Sequence, residues 1–436
     1  MNQQTTDFIL THRHDDVRRL AFLADRFPEV DMPVALRQID GWQSVGRKIP
    51  SWTQVEGLLF PPHLNIEQAS GEQTAAYKAR LIGRLLRGME QGRTGGSGFS
   101  DDSGVSAPKG NGCKTSLMDL TGGMGIDFAF MAPVVDEAVY VERDAALCRL
   151  ARHNFPLLGL PEAVIVEGDG VEALHREAHC TFCFIDPARR DRHGARTYAI
   201  EDCLPNVITL VDELLEKAAY TLVKLSPMLD VSQAVRQLRH VVEVHVVSVR
   251  NECKELLLLL SRHDTRPTEV HCVNDDEVFT APFGAGVPPA APSCCPAEAV
   301  PAAVVDPLHP PFVLFEPNAS IMKAGCFDAL QHRFGLQKLA PNSHLFVAPA
   351  AHEGFPGRQF AVDAVTTMNK KQLRQALKGI DKANVTVRNF PLTVDRLRQK
   401  TGLTDGGDTY IFATTDARRR HLLFIGRRIA GHPARS

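Results

Sequence analysis

The stretch Ser116-Leu-Met-Asp-Leu-Thr-Gly-Gly-Met-Gly-Ile-Asp127 limits the folds open to this 436-residue chain more than any other. An apolar run stops at Asp119, glycines follow at Gly122, Gly123 and Gly125, and Ile126 to Ala132 can open a helix. Strand, tight glycine turn and helix N-terminus form the opening of a nucleotide-binding α/β unit. Glycine lets backbone approach a ligand and takes up positive φ without strain. The next apolar run, Glu137 to Arg143, ends in Glu142, whose carboxylate can accept hydrogen bonds from both hydroxyls of a ribose.

From Ser116 to Arg262 strand-like and helix-like segments alternate, which predicts a doubly wound, mostly parallel sheet. Strands are expected near 116–120, 138–142, 163–167, 181–186, 220–225, 242–249 and 255–261. The last two are close enough in sequence to form an antiparallel hairpin. Ligands in such sheets sit beyond the carboxyl ends of the strands. Asp119, Glu142, Asp169 and Asp186 then share one rim, joined by Lys224.

The dinucleotide pattern G-x-G-x-x-G places Phe128 at its third glycine, and Asp119 would repel a pyrophosphate. A cationic ligand suits Asp119 better. The stretch resembles motif I of class I S-adenosylmethionine (SAM) methyltransferases, and SAM carries both a sulfonium and an amino group. Candidate cofactor-binding residues are Asp119, Thr121, Gly122, Gly123, Gly125, Glu142, Arg143, Asp169 and Asp186, with Asp169 facing the adenine amino group. A glycine turn that only packs a helix on a sheet, and an Asp169 that only shapes its turn, are the structural alternatives.

Asp186-Pro-Ala-Arg-Arg190 resembles motif IV of nucleic-acid methyltransferases. Ala188 replaces a second proline, and Arg189 stands where a base-stacking aromatic is expected. Asp186 can hold an N–H or O–H of a methyl acceptor, and Arg189 and Arg190 can clamp a phosphate or carboxylate. Lys224 either touches the acceptor or neutralises Asp186. The candidate catalytic set is Asp186, Pro187, Arg189, Arg190 and Lys224. Cys180 and Cys183 fall inside a strand and read as core. Cys253 lies too late for a thiolate nucleophile, and His12 and His14 lack further ligands, so no metal site is expected.

Around this sheet the expected organisation is a helical domain over 1–91, a Gly/Ser-rich linker over 92–115 and the sheet domain over 116–275. A Pro/Ala-rich insertion over 276–311, a segment over 312–358 and a basic module over 359–436 follow. The net charge of −2 hides an asymmetry. Ala364 to Ser436 holds 15 Lys and Arg against five Asp and no Glu, or +10, which leaves −12 on the remainder. Lys370, Lys371, Arg374, Lys378, Arg388, Arg418 and Arg419 are the candidate polyanion contacts. The longest apolar run, Leu256 to Leu260, is far below the roughly 20 residues of a membrane span. Ten scattered cysteines and no secretion signal indicate a reduced, cytoplasmic protein. The oligomeric state stays open.

Asp119-Leu-Thr-Gly-Gly-Met-Gly125, Ile185-Asp-Pro-Ala-Arg-Arg-Asp191, Lys224-Leu-Ser-Pro-Met228 and Val246 to Leu256 form a series with Glu316-Pro-Asn-Ala-Ser-Ile-Met-Lys323 and Asp405-Gly-Gly-Asp-Thr-Tyr410. Together they resemble a family of bacterial class I SAM-dependent methyltransferases with a C-terminal THUMP-like domain, common in Bacteroidetes. The resemblance covers nearly the whole chain except the two low-complexity stretches. It implies an α/β Rossmann-like seven-stranded sheet, an N-terminal helical region and a C-terminal ferredoxin-like/THUMP-like α+β region. It further implies SAM as cofactor and RNA, tRNA or rRNA, as partner. Methylation of a protein or small acidic molecule, and non-catalytic RNA binding, are the alternatives.

Overall fold

The computed structural model describes residues 1–94, 114–177, 179–189, 200–284 and 305–429. They form two compact units, Met1–Val244 with Lys254–Arg266, and His245–Cys253 with Pro267 onward.

Short apolar runs such as Cys180–Ile185 become parallel strands because both of their faces can be buried. In the first unit β1 (Ser116–Asp119), β2 (Glu137–Glu142), β3 (Val164–Glu167), β4 (Cys180–Ile185) and β5 (Ala218–Leu225) run parallel. β6 (Val241–Val249) and β7 (Glu252–Leu260) follow, each only partly in this unit, and within a nine-stranded sheet, two strands more than expected, these seven stand in the order β6-β7-β5-β4-β1-β2-β3. β7 is antiparallel to β5, with Lys224 opposite Leu257. The β6–β7 turn is built on positive φ at Arg250 and Asn251, the two-residue geometry that matches strand twist. The register sets Asp119 beside Tyr140 and Phe184, so the ends of the parallel strands share one rim, as expected.

The N-terminal helices belong to this unit rather than forming a separate domain. Val45, Ile49, Trp52, Phe60 and Ile66 make one core with Ile126 of the helix that follows the glycine turn. The helix Glu72–Thr94 continues three residues past the expected domain boundary at 91. The rest of the expected linker, up to residue 113, lies outside the described residues.

In the second unit β8 (Glu269–Asn274) pairs antiparallel with β9 (Glu277–Pro282). The expected insertion therefore does not begin at 276, because Asp275 takes positive φ and the chain returns as a strand. Of that insertion, 285–304, including Cys294 and Cys295, lie outside the described residues.

β10 (Phe312–Pro317), β11 (Gln337–Lys338), β12 (Phe346–Ala348), β13 (Gly357–Thr366), β14 (Asn384–Arg388), β15 (Thr409–Thr415) and β16 (His421–Arg428) build one sheet. Its order is β11-β12-β10-β13-β16-β15-β14. β10 pairs antiparallel with β13 across the expected boundary at 358, so the two C-terminal segments share a sheet and a core that includes Phe312, Phe360 and Phe424. Left-handed Gly325 ends the helix Ala319–Ala324, and a second helix, Phe327–Phe334, follows. No helix among the described residues is long and apolar enough to cross a membrane.

Candidate active site

The glycine turn is shaped by what lies behind it. A Cβ at Gly122 would sit 2.2 Å from the Tyr140 ring, so only glycine fits there. Gly125, at φ 80°, is the left-handed residue that starts the helix Ile126–Met131. The Tyr140 hydroxyl donates to the Gly123 carbonyl at 2.6 Å. Glu142 then secures the outside of the turn: its carboxylate accepts from the Gly123 N–H and the Asp144 N–H, both at 2.8 Å. Asp169 caps the helix Gly170–Arg176 by accepting from Val171 and Glu172 N–H through Oδ1. Half of its carboxylate is thus engaged in the capping role that the sequence left as an alternative.

Asp119 is buried, at 1% exposure, although it belongs to the cavity lining. Burial pushes its carboxyl up to about 8 against the opposing hydrogen bond from Thr121 N–H, and the charges of Asp127 and Asp186 push the same way. The Thr121 hydroxyl accepts from the Asp186 N–H at 2.7 Å, which ties the end of β1 to the end of β4.

From Asp186 a line of alternating charges runs inward. Asp186 pairs with Lys224 at 2.6 Å, Lys224 with Asp127 at 3.0 Å, and Asp127 with Lys78 at 3.2 Å. Lys78, fully buried, pairs also with Glu255 at 2.5 Å. The Ser70 hydroxyl donates to Asp127 at 2.8 Å and accepts from Lys224 at 3.0 Å. Burial alone would raise the Asp127 carboxyl, but Lys224 and Lys78 outweigh it and hold the group down at about 2. Burial would lower the Lys224 ammonium; Asp127 and Asp186 outweigh it and raise it well above the ordinary lysine range. Lys224 is therefore a fixed cation, ion-paired with Asp186.

Ser70, Lys78, Asp127 and Glu255 are absent from the sequence-derived site. Lys78 carried a readable signal: it interrupts the apolar face made by Ala75, Leu81, Ile82 and Leu85. Asp127 reads in sequence as an ordinary acidic residue of a first helical turn.

Ser70, Asp127, Asp186, Lys224 and Glu255 line a cavity of about 1140 Å³. Thr121, Gly122, Gly123, Glu142, Arg143, Gly168 and Asp169 form one side, and Asp186, Pro187, Lys224, Ser226 and Asn206 the other. Asn65, Gln68 and Ser70 from the N-terminal region complete the wall. Gly125 stands behind the turn. Arg190 and the side chain of Arg189 lie outside the described residues. Cys180 and Cys183 are buried in the sheet, as expected for core.

In the second unit Lys370, Lys371 and Arg374 project from the short helix Lys370–Ala376, and Lys378 follows it. With Arg418 and Arg419 they are exposed and make no ion pair among the described residues. Arg388 departs from this set: with Arg358 it neutralises the buried carboxylate of Glu316, at 3.1 Å from Arg388.

Comparison with known proteins fits this architecture. Residues 357–428 match the family described as THUMP domain-like, and residues 314–356 match a ferredoxin-like domain. The chain is therefore a protein of the class I methyltransferase fold that carries C-terminal ferredoxin-like and THUMP-like domains. A Porphyromonas gingivalis W83 protein whose crystal structure is assigned as a methyltransferase is 29% identical, with 98% of each chain covered and a TM-score of 0.78. Proteins from two strains of Mycobacterium tuberculosis, named as uncharacterized SAM-dependent methyltransferases, are 26% identical over 294 residues, 65% of this chain and 72% of theirs.

Proposed function

We propose that this protein is a SAM-dependent methyltransferase that acts on RNA, tRNA or rRNA. The observation that carries the reading is the single cavity bounded by the glycine turn, Glu142 and Asp169 on one side and by Asp186 on the other. The residues present fit SAM. Gly122 leaves backbone where a side chain would collide with Tyr140, Glu142 and Asp169 supply acceptors for hydroxyl and amino groups, and Asp119 offers a buried carboxyl toward a cationic ligand. Bound there, SAM supplies an electrophilic methyl group. The volume exceeds the usual cofactor pocket of roughly 300–1000 Å³, which leaves room for an acceptor group beside Asp186. Asp186, paired with Lys224, accepts a hydrogen bond from an acceptor N–H or O–H and orients its lone pair.

RNA as the acceptor is supported by the THUMP-like domain and by the unpaired cations around Lys370–Ala376. Total RNA from a strain lacking the gene, incubated with the protein and methyl-labelled SAM, should take up label, whereas RNA from the parent strain should not. No uptake into either RNA by protein that binds SAM would redirect the assignment to a protein or small acidic acceptor.

A further inference from the structure

Two cysteines outside the cavity lining face each other in the second unit. Cys272, on β8, is fully buried. Cys326 is partly accessible and stands at the N-cap of the eight-residue helix Phe327–Phe334. Their sulfurs lie 3.4 Å apart in a thiol–thiol hydrogen bond, although 54 positions separate them in sequence. We propose that Cys272 and Cys326 form a modification site, a vicinal thiol pair that hydrogen peroxide or a related hydroperoxide converts to a reversible disulfide.

The two thiols are unequal in the way this chemistry requires. The hydrogen bond from Cys272 holds the Cys326 thiol below its ordinary range, against burial. The same bond, with burial, holds Cys272 well above its own. The helix N-terminus further favours negative charge at Cys326. Cys326 is thus the accessible nucleophile and Cys272 the protected resolving thiol. The Cys326 thiolate attacks one peroxide oxygen, the O–O bond breaks, and hydroxide leaves, giving a sulfenic acid. The Cys272 sulfur then displaces the sulfenic oxygen as water, so two thiols and one peroxide become one disulfide and two waters. A dithiol reductant reverses the step by exchange.

The bond would tie β8 to the ferredoxin-like segment and close a long loop of chain. A crosslink of that span restricts the unfolded chain and stabilises the folded one. The test treats the full chain with a small excess of peroxide, blocks remaining thiols and compares masses under non-reducing conditions. A chymotryptic map separates Cys272 from Cys294 and Cys295 by cleavage after Phe279 and Phe283. The expected result is a loss of about two mass units, a Cys272–Cys326 linked peptide, a melting temperature higher by several degrees, and reversal of all three by dithiothreitol. Cys326→Ser should abolish link and shift, while Cys253→Ser should keep both. A link between other cysteines, sulfinic acid at Cys326 without a link, or no reaction would overturn the proposal. The wild-type peptide map decides alone if the Cys326 variant does not fold.

Discussion

At Asp119 burial lifts the carboxyl to about 8, so at neutral pH the ligand-free group holds a proton. Its folded value lies above its ordinary unfolded one, so the stabilisation it gives is complete below about pH 4 and is lost as pH rises toward 8. Urea midpoints measured from pH 5 to 8 should therefore fall with pH more steeply in the wild type than in Asp119→Asn; parallel curves would contradict the buried, protonated carboxyl. Asp127 works in the opposite sense. Held at about 2, it adds stability above its unfolded value that is lost as pH falls from about 4 through 2. Lys78 is the keystone of that line of charges. Lys78→Met leaves Asp127 and Glu255 without their shared buried cation and should cost about 3–5 kcal/mol in denaturant unfolding. A loss below about 1 kcal/mol, the value of an exposed pair, would mean that the lysine is not buried with them. In sequence, Asp119, Asp186 and Lys224 are visible because they end strands. Their partners are less so: Lys78 shows only as a break in an apolar helix face, and Ser70, in the loop before that helix, has no local mark of its destination.

Among the elements, the turn after β1 is the most exacting. Gly122→Ala forces a Cβ against the Tyr140 ring and should displace the Gly123 backbone that Tyr140 and Glu142 hold. SAM affinity should fall at least tenfold with the fold intact by circular dichroism; unchanged affinity would remove the turn from the binding site. The same turn was legible from sequence alone, because glycine spacing and a preceding apolar run report local geometry directly. Elements fixed by distant pairing were less so. β9 follows a two-residue turn at Asp275 and precedes a Pro/Ala-rich run whose composition dominates the reading. Arg388 looked like part of a cationic surface because Glu316, its partner, comes 72 positions earlier on another strand.

For the whole molecule, charge is unevenly divided: +10 from Ala364 onward and −12 before it. Part of the positive charge is spent internally, in Arg388–Glu316, Arg420–Asp416 and Arg427–Asp363. The exposed cations around Lys370–Ala376 are the share available to a polyanion. Replacing Lys370, Lys371 and Arg374 together by Glu should weaken RNA binding at low salt and flatten the dependence of log affinity on log salt by about 0.7 per lost phosphate contact on single strands. The same affinity and slope in the variant would place the RNA elsewhere. The central claim concerns the first unit, that its cavity holds SAM between the glycine turn and Asp186. Isothermal titration of SAM into the intact protein, beside Glu142→Ala, tests it most directly. The account predicts one site per chain in the wild type and an affinity at least tenfold weaker in the variant. No heat of binding in the wild type, or equal affinity in both proteins, would contradict it.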